Sequence, residues 1–249
     1  MKGNALRNIR ALARREFGFY FNSPIAYITI TVFLLVCGAY LFVIDDPTTG
    51  LSFFEDNQAS MRKLFEAIPL FFVFLIPAIT MRLISEERRA GTIELLVTMP
   101  VTDAQIALGK YLGGLLFLVV TLAATLPLPL IVGSLGSLDV GAVIAGYVGL
   151  LLLGAAYLGV GLMTSAWTKN QIVAYLTAAL IAALFYFVGD MVESVWESAR
   201  DALAFMSFKA HFDNIARGVI DSRDVLFYLS FIVVTLVVTV QSLSARNWK

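Results

Sequence analysis

The sequence predicts an all-α integral membrane protein with six transmembrane helices. Three observations carry that expectation. Of 249 residues, 59% are apolar and 14% charged, where a water-soluble domain has roughly 45–50% and 25%. Mean hydropathy is +0.83. The 18 basic and 18 acidic side chains, Glu66 excepted, fall outside six long apolar runs.

Those runs cover about residues 24–44, 64–81, 111–132, 140–166, 171–189 and 225–243. Each approaches the roughly 20 residues that a helix rising 1.5 Å per residue needs to cross about 30 Å of hydrocarbon. A closed barrel would show alternating segments of about ten residues, and there are none. The whole of 1–249 reads as a single transmembrane domain.

Taken in order, the N-terminal 23 residues come first. Leu6, Ile9, Ala13, Phe17 and Tyr20 fall near one helical face, while Arg7, Arg10 and Arg14 recur on another. That pattern fits a helix lying in the inner interface with its basic groups toward anionic headgroups. It also fits a plain cytoplasmic tail that fixes topology. The first run is too long for a signal-peptide core and no small-residue cleavage site closes it, so it stays as span 1. Assigning Lys and Arg to alternate loops puts twelve on the side of both termini and six on the other. Both termini therefore face the cytoplasm.

Glu66 sits two residues into span 2, near the outer surface, as an interfacial carboxylate rather than a proton relay. The spans carry no charge to couple to an ion gradient, which points to mechanical drive from outside the membrane. In span 3, Pro127 and Pro129 free backbone carbonyls one turn earlier and predict a kink. Small residues at Gly109 and Gly113, at Gly141, Ala145 and Gly149, and at Gly161 and Ser165 recur every fourth position and predict close helix packing within the chain. The external segment 190–224 spaces Val192, Trp196, Ala199, Leu203 and Met206 as one apolar face, with Trp196 placed for the outer interface. His211 within it reads as a surface or packing residue. One cysteine, Cys37, and one histidine supply neither a disulfide frame nor a zinc site.

Between spans 2 and 3 lies the most informative polar stretch, residues 85–101: Ser-Glu-Glu-Arg-Arg-Ala-Gly-Thr-Ile-Glu-Leu-Leu-Val-Thr-Met-Pro-Val. Ser85 is placed to cap a helix whose first turn holds Glu86 and Glu87. Gly91 interrupts it and Pro100 discourages helix through Met99. Ile93, Leu96 and Val97 share a face that wants either a groove in a partner or the membrane surface.

This stretch resembles the coupling-helix region of ABC-2 transporter permeases. Residues 21–27 (Phe-Asn-Ser-Pro-Ile-Ala-Tyr) and 207–221 are similar to the branch that includes gliding-motility and nitrous-oxide-reductase maturation permeases. The resemblance implies a bundle of the type V exporter kind: an N-terminal interfacial helix, a cytoplasmic coupling helix and external re-entrant helices. It implies that residues 85–101 rest in a cleft of a cytoplasmic ATPase, present in two copies. Ile93, Glu94, Leu95 and Leu96 would make contact, Glu87, Arg88 and Arg89 would flank them, and Gly91 and Thr92 would set the bend. A second permease copy or homologue, an extracytoplasmic auxiliary protein and the bacterial inner membrane follow from the same resemblance.

Absent motifs narrow the chemistry. No phosphate loop, nucleophile elbow or H-E-x-x-H helix occurs, so the chain is expected not to be an enzyme, with ATP chemistry residing in a partner subunit. Formal charge is zero and there is no global basic field, so no nucleic-acid partner is expected, and no cofactor is called for. The competing expectation is a non-transporting membrane anchor or assembly factor whose segment 190–224 recruits an extracytoplasmic partner.

Overall fold

Helix starts in this protein fall where a side chain or a proline meets the free amide groups of the first turn. In the computed structural model, which describes residues 2–44, 60–92, 101–192, 203 and 205–245, helix α1 (Lys2–Phe21) is followed by α2 (Pro24–Phe42), with Ser23 accepting from the Ile25 amide and Pro24 in the first turn. Then come α3 (Arg62–Thr80), the short α4 (Ser85–Ala90) and α5 (Asp103–Ala123). Thr102 caps α5 by accepting from the Gln105 amide at 3.3 Å. The chain breaks over residues 124–126 and resumes as α6 (Pro127–Leu135), the kink expected from its prolines. Next are α7 (Val140–Trp167), capped by Asp139, and α8 (Gln171–Val192). Then α9 (Phe208–Ala216) is capped by Ser207, and α10 (Ser222–Ser244), capped by Asp221, closes the described chain.

Among the described residues six segments are long and apolar enough to cross a membrane: α2, α3 with α4, α5 with α6, α7, α8 and α10. Their roles differ. The most apolar window of α7 is 67% buried, against 22%, 22% and 17% for α2, α8 and α10. Hence α7 is the core post, and the outer three turn most of their apolar surface toward lipid. Glycines allow the crowding around α7. A methyl group on Gly161 would fall 1.8 Å from the Thr80 hydroxyl of α3, and one on Gly159 would fall 2.3 Å from that of Thr235 in α10. Gly146 takes the Phe65 ring and Gly154 takes Leu118.

Two expectations change. First, α5 begins at Asp103, so Lys110 lies two turns inside a helix rather than in a loop, and it is 1% exposed. The mixed segment 103–110 hides in a hydropathy scan, yet Thr102 and Gln105 three residues apart give the signature of a helix start. Second, α1 is held along α5 rather than standing apart. Asn8 donates to Gln105 at 3.2 Å, Leu12 fills the notch at Gly109, Glu16 that at Gly113, and the Tyr20 ring stacks on Phe117 at 4.7 Å. Contacts that advance about four residues on both helices at once mean that the two run parallel. The buried face of α1 is Leu12, Ala13, Glu16 and Tyr20, while Arg7, Arg10 and Arg14 stay exposed. Gly109 and Gly113 thus serve α1, not a neighbouring span.

Candidate functional site: the coupling end of the bundle

At the C-terminal end of α3 the chain turns through residues 81–84 and enters α4. Ser85 does not cap this helix; the position before it is Ile84, without a side-chain bond, and Ser85 is the first helical residue, its hydroxyl donating back to the Met81 carbonyl. The free amides are met from another helix instead. Ser165 Oγ in α7 accepts from both the Ile84 and Ser85 amides at 3.0 Å and donates to the Met81 carbonyl at 2.9 Å. Gly91 stops α4 in the left-handed region at φ 71°, a conformation that costs a residue with Cβ roughly 1 kcal/mol or more. The Thr92 hydroxyl donates to the Glu87 carbonyl at 3.4 Å across that stop.

The charged side chains of α4 face inward more than the sequence implied. Glu87 Oε1 lies 2.9 Å from Lys110 Nζ in α5 and 3.1 Å from Arg15 of α1. Glu16 Oε1 meets the same two cations at 3.1 and 2.8 Å. Two carboxylates and two cations thus form one neutral square across α1, α4 and α5. Burial works against the Arg15 charge, but Glu16 and then Glu87 outweigh it and hold the guanidinium above its usual value. Arg88 reaches the other way and donates to the Ser242 carbonyl of α10 at 3.2 Å. Ser244 Oγ and Asp103 Oδ2, 3.0 Å apart, join α10 to the start of α5. A six-residue helix is therefore tied to α1, α5, α7 and α10 at once.

Of the residues that sequence reasoning singled out here, Glu87, Arg88, Gly91 and Thr92 come together at this end. Ile93, Glu94, Leu95 and Leu96 lie outside the described residues, as does Trp196. Sequence reasoning missed Arg15, Glu16, Lys110 and Ser165. A lone Glu16 in register with Leu12, Ala13 and Tyr20 was the available signal that a carboxylate shares the buried face. Lys110 and Asp224, each one residue outside the runs read as spans 3 and 6, lie within α5 and α10 and are buried.

The outer end is built differently. The Phe208 ring of α9 is packed by Tyr157, Phe185, Phe227, Tyr228 and Phe231, with centroids 4.8 to 5.7 Å away. Tyr228 Oη donates to the Phe208 carbonyl at 2.7 Å. His211 is buried and packed, its Nδ1 2.6 Å from Asp224 Oδ1 and its Nε2 2.8 Å from the Phe205 carbonyl. Between α3, α7, α8 and α9 lies a cavity of about 770 Å³ whose lining includes Arg62, Glu66, Asp139, Lys209, Asp213 and Arg217. Burial pushes the Asp213 carboxyl above its ordinary range, against the pull of Lys209 and Arg217. Among the described residues no cluster of three His, Cys, Asp or Glu is placed to hold a metal.

The short segment α4 is thus gathered onto four helices, and a comparison with known families places the whole bundle. The model of the ABC-2 family transporter proteins matches residues 11–246. The chain belongs to this family. Among curated proteins none matches it significantly. As an ABC-2 family protein it is a multi-pass membrane permease component of an ABC transporter, and the match runs from α1 through α10, so the charged square at the inner end is part of the family domain.

Proposed function

We propose that this ABC-2 permease is the passive membrane half of an ATP-driven exporter, moved by two separately encoded ATPase subunits that grip residues 85–101 and by pairing with a second copy or homologue. The observation that carries the reading is the attachment of α4: Arg15, Lys110, Ser165 and Ser242 fasten it to four helices. A pull on the segment beyond Gly91 would travel through Glu87 and Arg88 into α1, α5 and α10, because packed helices move as rigid bodies rather than stretching. The chain itself is not proposed to be an enzyme; the ATPase supplies the chemistry. Both termini face the cytoplasm of a bacterial inner membrane, a reading supported by the twofold bias of Lys and Arg toward that side. Residues 21–27 and 207–221 support placing the chain near the gliding-motility and nitrous-oxide-reductase maturation permeases.

The test is a paired substitution in the proposed contact. Glu94→Arg with Leu96→Asp should abolish stimulation of ATPase activity by the permease and lower co-purification of the ATPase at least tenfold, while the unfolding midpoint of the permease alone stays within a degree or two. Undiminished ATPase binding by a folded double variant would remove residues 85–101 as the docking segment.

A further inference from the structure

Where α1 meets α4, a cavity of about 480 Å³ opens beside the charged square, walled by Phe19, Tyr20, Arg82, Leu83, Glu86 and Glu87 among others. Two charged groups in this wall each present a buried polar atom without a partner: Arg82 Nη2, a donor, and Glu87 Oε2, an acceptor. They do not satisfy one another. The Arg82 guanidinium lies over the Phe19 and Tyr20 rings, 5.2 and 5.9 Å from their centroids, and Glu87 is engaged through Oε1 with Lys110 and Arg15. A buried polar atom left without a partner is costly even when the rest of its group is engaged, so a cavity large enough for a small polar group at this position is poised for one that matches both atoms.

The two atoms dictate its chemistry. The wall carries three cations, Arg15, Arg82 and Lys110, and three carboxylates, Glu16, Glu86 and Glu87, so its charges balance and favour neither a simple anion nor a simple cation. A zwitterion with an anionic oxygen and an N–H-bearing ammonium a few bonds apart satisfies both. The other walls favour an attached apolar tail: Leu83 and the ring of Phe19, which is 48% exposed, face the opening. The location fixes the source. Arg82 follows the end of α3 by two residues, at the boundary of a span, and the neighbouring α1 shows exposed Arg7, Arg10 and Arg14 on its free face.

We infer that this cavity holds the headgroup of a phosphoethanolamine lipid, its phosphate accepting from Arg82 Nη2 and its ammonium donating to Glu87 Oε2. A phosphocholine headgroup fits less well because a quaternary ammonium has no proton to donate, and a phosphoglycerol headgroup offers Glu87 Oε2 only neutral hydroxyl donors, whose bonds are weaker than those of an ammonium. The site rests on the bundle and not on the ATPase reading, so failure of the docking test would leave it standing. Seated between α1 and Glu87, the lipid would brace α4 against the membrane surface.

Native mass spectrometry of the full chain, released from detergent with added lipid, tests this. Phosphatidylethanolamine should be retained at one site about tenfold more strongly than phosphatidylcholine or phosphatidylglycerol of the same acyl composition, the ratio expected for one charge-assisted hydrogen bond. Arg82→Gln and Phe19→Ala should each erase the preference, and Lys169→Gln, an exposed cation at the same end of the bundle, should leave it intact. Equal retention of all three lipids by the native chain would overturn the proposal without any variant. So would an undiminished preference in folded Arg82→Gln, or displacement of the lipid by free phosphoethanolamine at equal concentration, which would make the ligand a soluble metabolite.

Discussion

The α4 end and the α9 end of this permease solve one problem, holding a short helix against a bundle, with different balances of charge and shape. At the inner end α4 is held by charge: Lys110 and Arg15 each touch both Glu16 and Glu87. At the opposite end α9 is held mainly by shape, through the ring of Phe208 in its aromatic nest and through Phe212 and Ile215 seated 3.1 to 3.2 Å from where a methyl on Gly149 would stand, with the pairs His211–Asp224 and Lys209–Asp190 beside them. A square in which every charge has two partners can exchange one contact for another without leaving a charge alone. An interlocked aromatic nest has one arrangement. The difference teaches that the contacts around α4 could be exchanged pair by pair, whereas the packing around α9 admits no such exchange.

Lys110→Met breaks that comparison most severely. It leaves the buried Glu16 and the partly buried Glu87 together with only the half-exposed Arg15, and stability in detergent should fall by about 3 kcal/mol, read as a drop in the unfolding midpoint. Arg15→Gln, by contrast, should cost under about 1 kcal/mol because its side chain is 51% exposed. Equal losses would show that the square is not organised around Lys110. At the outer end His211→Ala should cost about 3 kcal/mol by leaving Asp224, 3% exposed, without its partner. Chemical denaturation monitored by tryptophan fluorescence measures it, and a loss below about 1 kcal/mol would mean that the aromatic nest alone holds α9.

The smallest effect sharpens the contrast by pH. Burial raises the Asp213 carboxyl, so the folded protein favours its protonated form. That contribution is present below the ordinary carboxylate range and is lost as pH rises through the raised folded value. Asp213→Asn should therefore be more stable than the native chain at pH 7 by under about 1 kcal/mol after solvent screening, and equal to it near pH 4. Thermal unfolding at the two pH values gives the answer, and a variant less stable at pH 7 would show that Lys209 and Arg217 outweigh burial.

Much of the scaffold was legible in the residues. Run length found the membrane helices, Pro127 marked the break into α6, and Gly91 marked the end of α4, because each acts through its own backbone. The site was legible only in part. Glu87, Arg88, Gly91 and Thr92 stood out, yet Glu87 was read as facing a partner when its carboxylate turns into the bundle. Lys110 passed for a loop residue because hydropathy averages over a window and cannot see that a single cation has two anions waiting for it. Ser85 passed for a cap because the real acceptor, Ser165, is 80 residues away.

What the sequence determined by itself was membership in the bilayer, the helices that cross it and the points where they stop, since hydrophobic length and local backbone chemistry depend on neighbours in the chain. What only the tertiary structure decided was which charges are buried and with whom. Burying an ion is tolerable only beside its counterion, and the partners of Lys110 come from α1 and α4, 94 and 23 positions away. That proximity exists only after α1 has packed along α5 through the notches at Gly109 and Gly113.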